Sequence, residues 1–251
     1  MVKVIVCGKG GCGKSTVTSL LADCVSRRGK TVFVMDSDES NTGLNKMLGV
    51  EKPEKTLIES LGGRQEVKKL IQNDGFKDKM GLSELPQPAV VWKDKVGFME
   101  VGKIEHFGEG CACMLGMISR KYVDNIELSE NQWVIIDTEA GVEHFGRGVG
   151  NSADCILMVA DPSEDSILLA DKIKKISAEA NKPFFVIVNK ANEKMAEIVL
   201  SKMSGLGIDV IGVVPLSVSL AESNIMCDPI RCSDDYGSIS KAVEAIEKTV
   251  N

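Results

Sequence analysis

The chain has 251 residues, 43% hydrophobic but only 4% aromatic, with a formal net charge of −6. That length supports one large domain with a core of Val, Ile, Leu, Ala and Met, and the acidic balance argues against non-specific nucleic-acid binding, which needs a basic face. No run approaches the ~20 apolar residues that span a bilayer, and eight cysteines without an export signal are expected to be free thiols or metal ligands in the cytoplasm, not a disulfide framework.

The first apolar run, Val2 to Cys7, reads as a strand. It is too short for a signal peptide, contains Lys3, and leads straight into Gly8-Lys9-Gly10-Gly11-Cys12-Gly13-Lys14-Ser15. That octapeptide has the P-loop form G-x-x-x-x-G-K-[ST]. A helical run follows, Ser15 to Arg28, with Val17, Leu20, Leu21, Cys24 and Val25 on one face and Gly29 as its stop. Strand, glycine-rich loop and helix are the context this motif requires. The glycines let backbone N–H groups converge, and the helix N-terminus adds partial positive charge there. Gly8, Lys9, Gly10, Gly11, Cys12, Gly13, Lys14, Ser15 and Thr16 are therefore the expected nucleotide-binding set. Lys14 is placed on the β/γ-phosphates and Ser15 on Mg²⁺. Lys9 has no needed task in a plain P-loop.

The next strand, Thr31–Met35, ends in Asp36-Ser37-Asp38. Ligands of open α/β sheets gather beyond the carboxyl ends of strands, so two acids there suit water activation and support of Mg²⁺. Residues 51–95, with Pro53, Pro86 and Pro88, read as irregular helical insertions and loops. Continuous apolar runs then recur at Val96–Val101, Trp133–Ile136, Cys155–Ala160, Phe184–Val188 and Asp209–Val214, as for strands covered on both faces.

Helical patterns lie between most of these strands. One sets Ile167, Leu168, Ala170, Ile173 and Ile176 on a face; another closes the chain with Ala242, Val243, Ile246 and Val250. Lys172, Lys174 and Lys175 read as a solvated helix face. The expected fold is a single α/β domain over residues 1–251, with a mostly parallel sheet, right-handed crossovers and helices on both faces.

The strand at Trp133–Ile136 ends in Asp137, the Walker B arrangement, in which a carboxylate holds Mg²⁺ through water. Thr138-Glu139-Ala140-Gly141 follows and runs on to His144, read as an interface residue. Cys111-Ala112-Cys113 sits in a glycine-flanked loop, about 107–114, before an expected helix from Met114 to Ile126. On a helix, residues i and i+2 point about 200° apart; in an extended segment they face one side. Two thiolates fill half of a four-coordinate site. Cys7, Cys24 and Cys155 take core positions, Cys12 is a small loop residue, and Cys227 and Cys232 lie in a late loop.

Lys9-Gly10-Gly11-Cys12-Gly13-Lys14-Ser15 resembles the deviant P-loop ATPases, which include the nitrogenase iron protein, division-site and plasmid-partition ATPases, and metallocentre maturation ATPases. The resemblance implies ATP as the nucleotide and a homodimer facing across two nucleotides, with Lys9 of each subunit on the phosphates bound by the other. It also implies that Asp38 orients the attacking water, with Asp36 as its structural or Mg²⁺-linked partner. Gly141 then approaches the γ-phosphate, and Asn189 and the backbone at Pro215 hold adenine. With Cys111-Ala112-Cys113 and the run from Asp137 to His144, nearly the whole chain is similar to the CooC accessory ATPases that mature nickel-containing carbon monoxide dehydrogenase. This implies one Ni²⁺ (or Zn²⁺) held by Cys111 and Cys113 of both subunits, with that dehydrogenase as client.

Two other readings stand beside it. An electron-transfer ATPase with a bridging iron–sulfur cluster places cysteines on both sides of the segment after Asp137, where none occurs here before Cys155. The other is a positioning ATPase of the MinD/ParA type that binds membrane or DNA; the division-site ones end in a basic amphipathic helix, whereas Glu244 and Glu247 offset Lys241 and Lys248 in this tail.

Overall fold

The computed structural model describes residues 1–73, 75–76, 79–103, 112–139, 153–233 and 236–250, without the side chains of 112 and 113. Its strands are β1 (Val2–Gly8), β2 (Thr31–Asp36), β3 (Val90–Lys93), β4 (Val96–Glu100), β5 (Gln132–Asp137), β6 (Cys155–Ala160), β7 (Phe184–Ala191) and β8 (Val210–Pro215). They form one sheet in the order β3-β4-β2-β5-β1-β6-β7-β8. Every neighbouring pair is parallel except β3 and β4. The helices are α1 (Lys14–Arg27), α2 (Leu44–Leu48), α3 (Leu57–Ser60), α4 (Arg64–Gln72), α5 (Ala112–Asn125), α6 (Glu164–Glu179), α7 (Glu193–Gly205), α8 (Val218–Met226) and α9 (Gly237–Val250).

The side chains of each strand alternate between two cores. Val2, Val4 and Val6 of β1 join Val17, Leu20 and Leu21 of α1 and Ile239, Val243 and Ile246 of α9. Ile5 and Cys7 face the other way, with Ile118 of α5, Ile173 of α6 and Val199 of α7. Both faces are covered, which is why the strands read as unbroken apolar runs. Gly29 ends α1 as expected: its φ is 82° and its N–H bonds the Ser26 carbonyl.

Three local expectations are corrected. Residues 51–95 contain a strand as well as helices. Val90–Lys93 turns back antiparallel on β4 through Asp94, whose φ is 53°. Trp92 lies over Gly97, and its ring is tilted 37° to that of Phe33 with centroids 5.8 Å apart. The turn is Asp-Lys, without the glycine that usually marks a tight hairpin, and the strand is a short edge. In α6 the buried face is Ser166, Ala170, Ile173 and Ser177, while Leu168 is 64% exposed. Leu168 lies two residues from Ala170 and so on the far side of the helix. Helix α5 starts at Ala112 rather than Met114, so the backbone of Cys113 is helical.

Among the described residues no helix is long and apolar enough to cross a membrane. The apolar face of α9 is buried against α1 and β8, and Arg28–Glu244 and Lys30–Glu247 ion pairs tie the helix to the chain after α1.

Candidate nucleotide-binding site

The parallel register brings the carboxyl ends of the strands to one edge, where Asp36 of β2 lies opposite Asp137 of β5 and Gly8 of β1 opposite Val159 of β6. At that edge β1 passes into the glycine-rich loop. Gly8 has φ 145°, and a Cβ there would run into the Val159 carbonyl. Gly13 has φ 96°, and its Cβ would run into the amide nitrogen of Asn189. Side chains are excluded at both positions, and the left-handed backbone at Gly13 favours glycine in any case.

Asn189 and Lys190, at the end of β7, hold this loop from below. Asn189 Nδ2 donates to the Cys12 carbonyl at 2.8 Å, and Lys190 Nζ donates to the Gly11 carbonyl at 2.7 Å. The sequence places Asn189 beside adenine; the structure shows it buried, lining the cleft and fastening the loop. Cys12 is fully buried, and burial pushes its thiol up to about 11 against the pull of Lys14.

A cleft of about 420 Å³ opens above the loop. Gly11, Gly13, Lys14, Ser15, Thr16, Asp38, Asn189 and Pro215 line it, as expected for a shared site. Met47 of α2 and Leu220, Ala221 and Asn224 of α8 are also on the wall, which the sequence did not single out. Gly8, Cys12, Asp36 and Asp137 stand behind this lining, and Gly10 is exposed at the loop tip.

Ser15 Oγ donates to Asp137 Oδ2 at 2.7 Å and accepts from Asn41 Nδ2 at 2.9 Å. The other carboxylate oxygen of Asp137, Oδ1, is buried without a hydrogen-bond partner among the described residues. A hydroxyl beside a carboxylate with an unpartnered oxygen is a donor set that fits Mg²⁺. Burial raises the Asp137 carboxyl to about 6, with Asp38 adding to the rise and the Ser15 hydroxyl and Lys14 opposing it.

Asp36 meets a cation that sequence reasoning missed. Lys103, just beyond β4, places Nζ 2.6 Å from Asp36 Oδ2 and 2.6 Å from the Asp38 carbonyl. Both side chains are shut off from solvent, at 7% and 1% exposure. Burial pushes the Asp36 carboxyl up, and the Lys103 ammonium against it pulls the other way and favours the charged pair. The only sequence signal was a lysine at a strand end. Asp38 reaches the cleft, and its Oδ1 accepts from the backbone N–H and hydroxyl of Ser40 at 2.9 and 2.6 Å.

Within its own chain Lys9 is engaged: Nζ donates to Ser163 Oγ at 3.1 Å and pairs with Asp161 Oδ2 at 3.4 Å. Gly141, His144 and Cys111 lie outside the described residues, as does the side chain of Cys113.

A family model described as CbiA, the CobQ/CobB/MinD/ParA nucleotide-binding domain, matches residues 3–229. The chain belongs to that family. As a MinD/ParA-type P-loop domain it binds nucleotide, and the cleft above Gly13 and Lys14 is where the motif puts it. An uncharacterized ATP-binding protein of Methanocaldococcus jannaschii is 38% identical over 98% of this chain and 100% of its own length. The carbon monoxide dehydrogenase accessory protein CooC of Rhodospirillum rubrum is 28% identical over 71% of the chain and 70% of that protein. Among solved structures, the septum site-determining protein MinD of Pyrococcus horikoshii, complexed with Mg-ADP, matches with a TM-score of 0.70. That match has 19% identity and covers 98% of this chain and 96% of the other, so it speaks for the MinD/ParA fold alone.

Proposed function

We propose that this MinD/ParA-type domain is an ATPase that carries nickel between two subunits and assists its insertion into the nickel–iron–sulfur cluster of carbon monoxide dehydrogenase. The observation that carries the reading is a contact between the helix at the cysteine motif and the segment that carries the acids. Helix α5 opens between Cys111 and Cys113, and its buried Ser119 hydroxyl lies 2.7 Å from the hydroxyl of Ser37, between Asp36 and Asp38. The helix that follows Cys111 in the chain thus touches the segment that carries the acids. Similarity to an accessory protein of carbon monoxide dehydrogenase supports the same client.

In this reading Lys14 draws charge from the β/γ-phosphates, and Ser15 with Asp137 holds Mg²⁺, which neutralises phosphate charge. Asp38 orients the attacking water, and Lys9 leaves Asp161 to reach the nucleotide of the partner subunit. Asn189 and Pro215 border the base, and Gly141 senses the γ-phosphate. Cys111 and Cys113 of both subunits supply four sulfurs to the cargo metal, Ni²⁺ or Zn²⁺. Loss of the γ-phosphate then lets the subunits part and release it.

The test is metal analysis of anaerobically purified protein with a mass measurement in solution, with and without Mg-ATP. One metal per dimer is expected, lost in Cys111→Ser, Cys113→Ser protein that still binds ATP. One metal per monomer, or metal retained in the double variant, would refute the shared site. Nucleotide-dependent pelleting with liposomes or DNA would favour a positioning role instead.

A further inference from the structure

Lys103 does more than neutralise a buried acid. Its ammonium makes two bonds of 2.6 Å, one to Asp36 Oδ2 and one to the carbonyl of Asp38. Asp36 in turn accepts the Asp38 N–H on Oδ1 at 3.0 Å. Both backbone polar groups of Asp38 are therefore fixed by one ion pair. That pair is anchored in the sheet: Asp36 ends β2, and the Val101 N–H bonds the Asp36 carbonyl at 3.0 Å. Asp38 itself stands beyond the strand, on the wall of the nucleotide cleft.

A carboxylate beyond a strand end has two soft dihedrals for every residue separating it from the sheet. Holding the N–H and the C=O of the same residue removes most of that freedom. The bonds are charge-assisted and nearly excluded from water, where such bonds are strongest.

We propose that Lys103 is the positioning residue for Asp38: it aims the carboxylate that orients water for attack on the nucleotide. The proposal rests on the role given to Asp38 above and assigns Lys103 no contact with nucleotide.

Catalysis by a water-orienting group is sensitive to misplacement of an ångström or so. Lys103→Met keeps the length of the side chain and removes the ammonium. In steady-state turnover of Mg-ATP by the full chain, kcat is expected to fall ~10- to 100-fold while the dissociation constant for Mg-ATP changes less than ~3-fold. Lys103→Ala is expected to regain part of its turnover with added methylammonium, which a purely structural loss would not allow.

The loss should also be non-additive with Asp38→Ala, since both variants disable one unit. A further tenfold loss on the Asp38→Ala background would overturn the proposal by showing that Lys103 acts on the phosphates directly. So would unchanged kcat in Lys103→Met. If Lys103→Met fails to fold because Asp36 is left charged, the double variant Asp36→Asn, Lys103→Met restores neutrality. It keeps an acceptor for the Asp38 N–H and still lacks the clamp on its carbonyl, so the same fall in kcat is expected, and wild-type kcat in it overturns the proposal. Asp38→Ala measured alongside separates the two failures. Full turnover there sinks the role of Asp38 and the positioning proposal with it, whereas poor turnover there beside normal Lys103→Met turnover sinks the positioning proposal alone.

Discussion

Gly13→Ala tests whether the loop and β7 are fitted to each other as the structure shows. An alanine at φ 96° adopts a left-handed backbone, at a cost of about 1–2 kcal/mol. Its Cβ also takes the place of the Asn189 amide nitrogen. Moving that amide breaks the 2.8 Å bond to the carbonyl of Cys12, a fully buried residue, and stranding a buried acceptor costs about 1–3 kcal/mol. The sum is about 2–5 kcal/mol. At roughly 3 °C per kcal/mol for a domain of this size, the melting temperature falls ~6–15 °C.

Asn189→Ala removes the same hydrogen bond and opens the space. On that background Gly13→Ala should show only the backbone term, about 1–2 kcal/mol. Urea denaturation of the four proteins, without nucleotide, gives the coupling energy. Strictly additive losses would refute the reasoning, because they would mean that the loop does not touch Asn189.

Lys9→Ala, in an Asp38→Ala protein stripped of Ni²⁺ and Zn²⁺ and assayed with Mg²⁺ in excess over chelator, should abolish the Mg-ATP-dependent shift from monomer to dimer seen by light scattering; an unchanged shift removes Lys9 from the interface. Mg-nucleotide affinity should fall as pH drops through about 6, because burial has raised Asp137 to that value and the protonated form no longer serves Mg²⁺; flat affinity from pH 7 to 5 would contradict it. The sign for stability is the reverse. A carboxyl with a raised folded pKa stabilises below its unfolded value near ~4 and loses that contribution as pH rises through 6, so Mg-nucleotide should raise the melting temperature more at pH 8 than at pH 5.5. Alkylation at pH 7.5 should label exposed Cys227 well before Cys7, Cys12 and Cys155, whose thiols burial pushes up; Cys12 reacting as fast as Cys227 would mean that the loop opens in solution.

What the sequence carried was local and periodic. Seven strands are legible as apolar runs because both faces of the sheet are covered, and the P-loop is legible because its chemistry needs glycines at fixed spacing. The strand Val90–Lys93 was not, since a four-residue edge after two prolines leaves almost no period to read. Lys103 was not either. Its meaning comes from the pairing of β4 with β2, which sets Glu100 opposite Asp36 and carries the chain on past it to the buried acid. Asn189 was legible as a site residue, but its bond to Cys12 spans 177 residues and belongs to tertiary structure alone.

If the proposed dimer forms, the pair between Lys9 and Asp161 bears on the concentration at which its subunits meet. Their side chains are 35% and 20% exposed, and such pairs are worth up to ~1 kcal/mol. Two lysines that must leave two aspartates to cross between subunits would weaken association by up to ~2 kcal/mol, about 30-fold in the dissociation constant. In the proposed dimer, Asp161 and Ser163 would thus act as a competitor built into each subunit. A chain at modest abundance would stay apart until bound nucleotide offers the lysine a stronger anion than its own carboxylate.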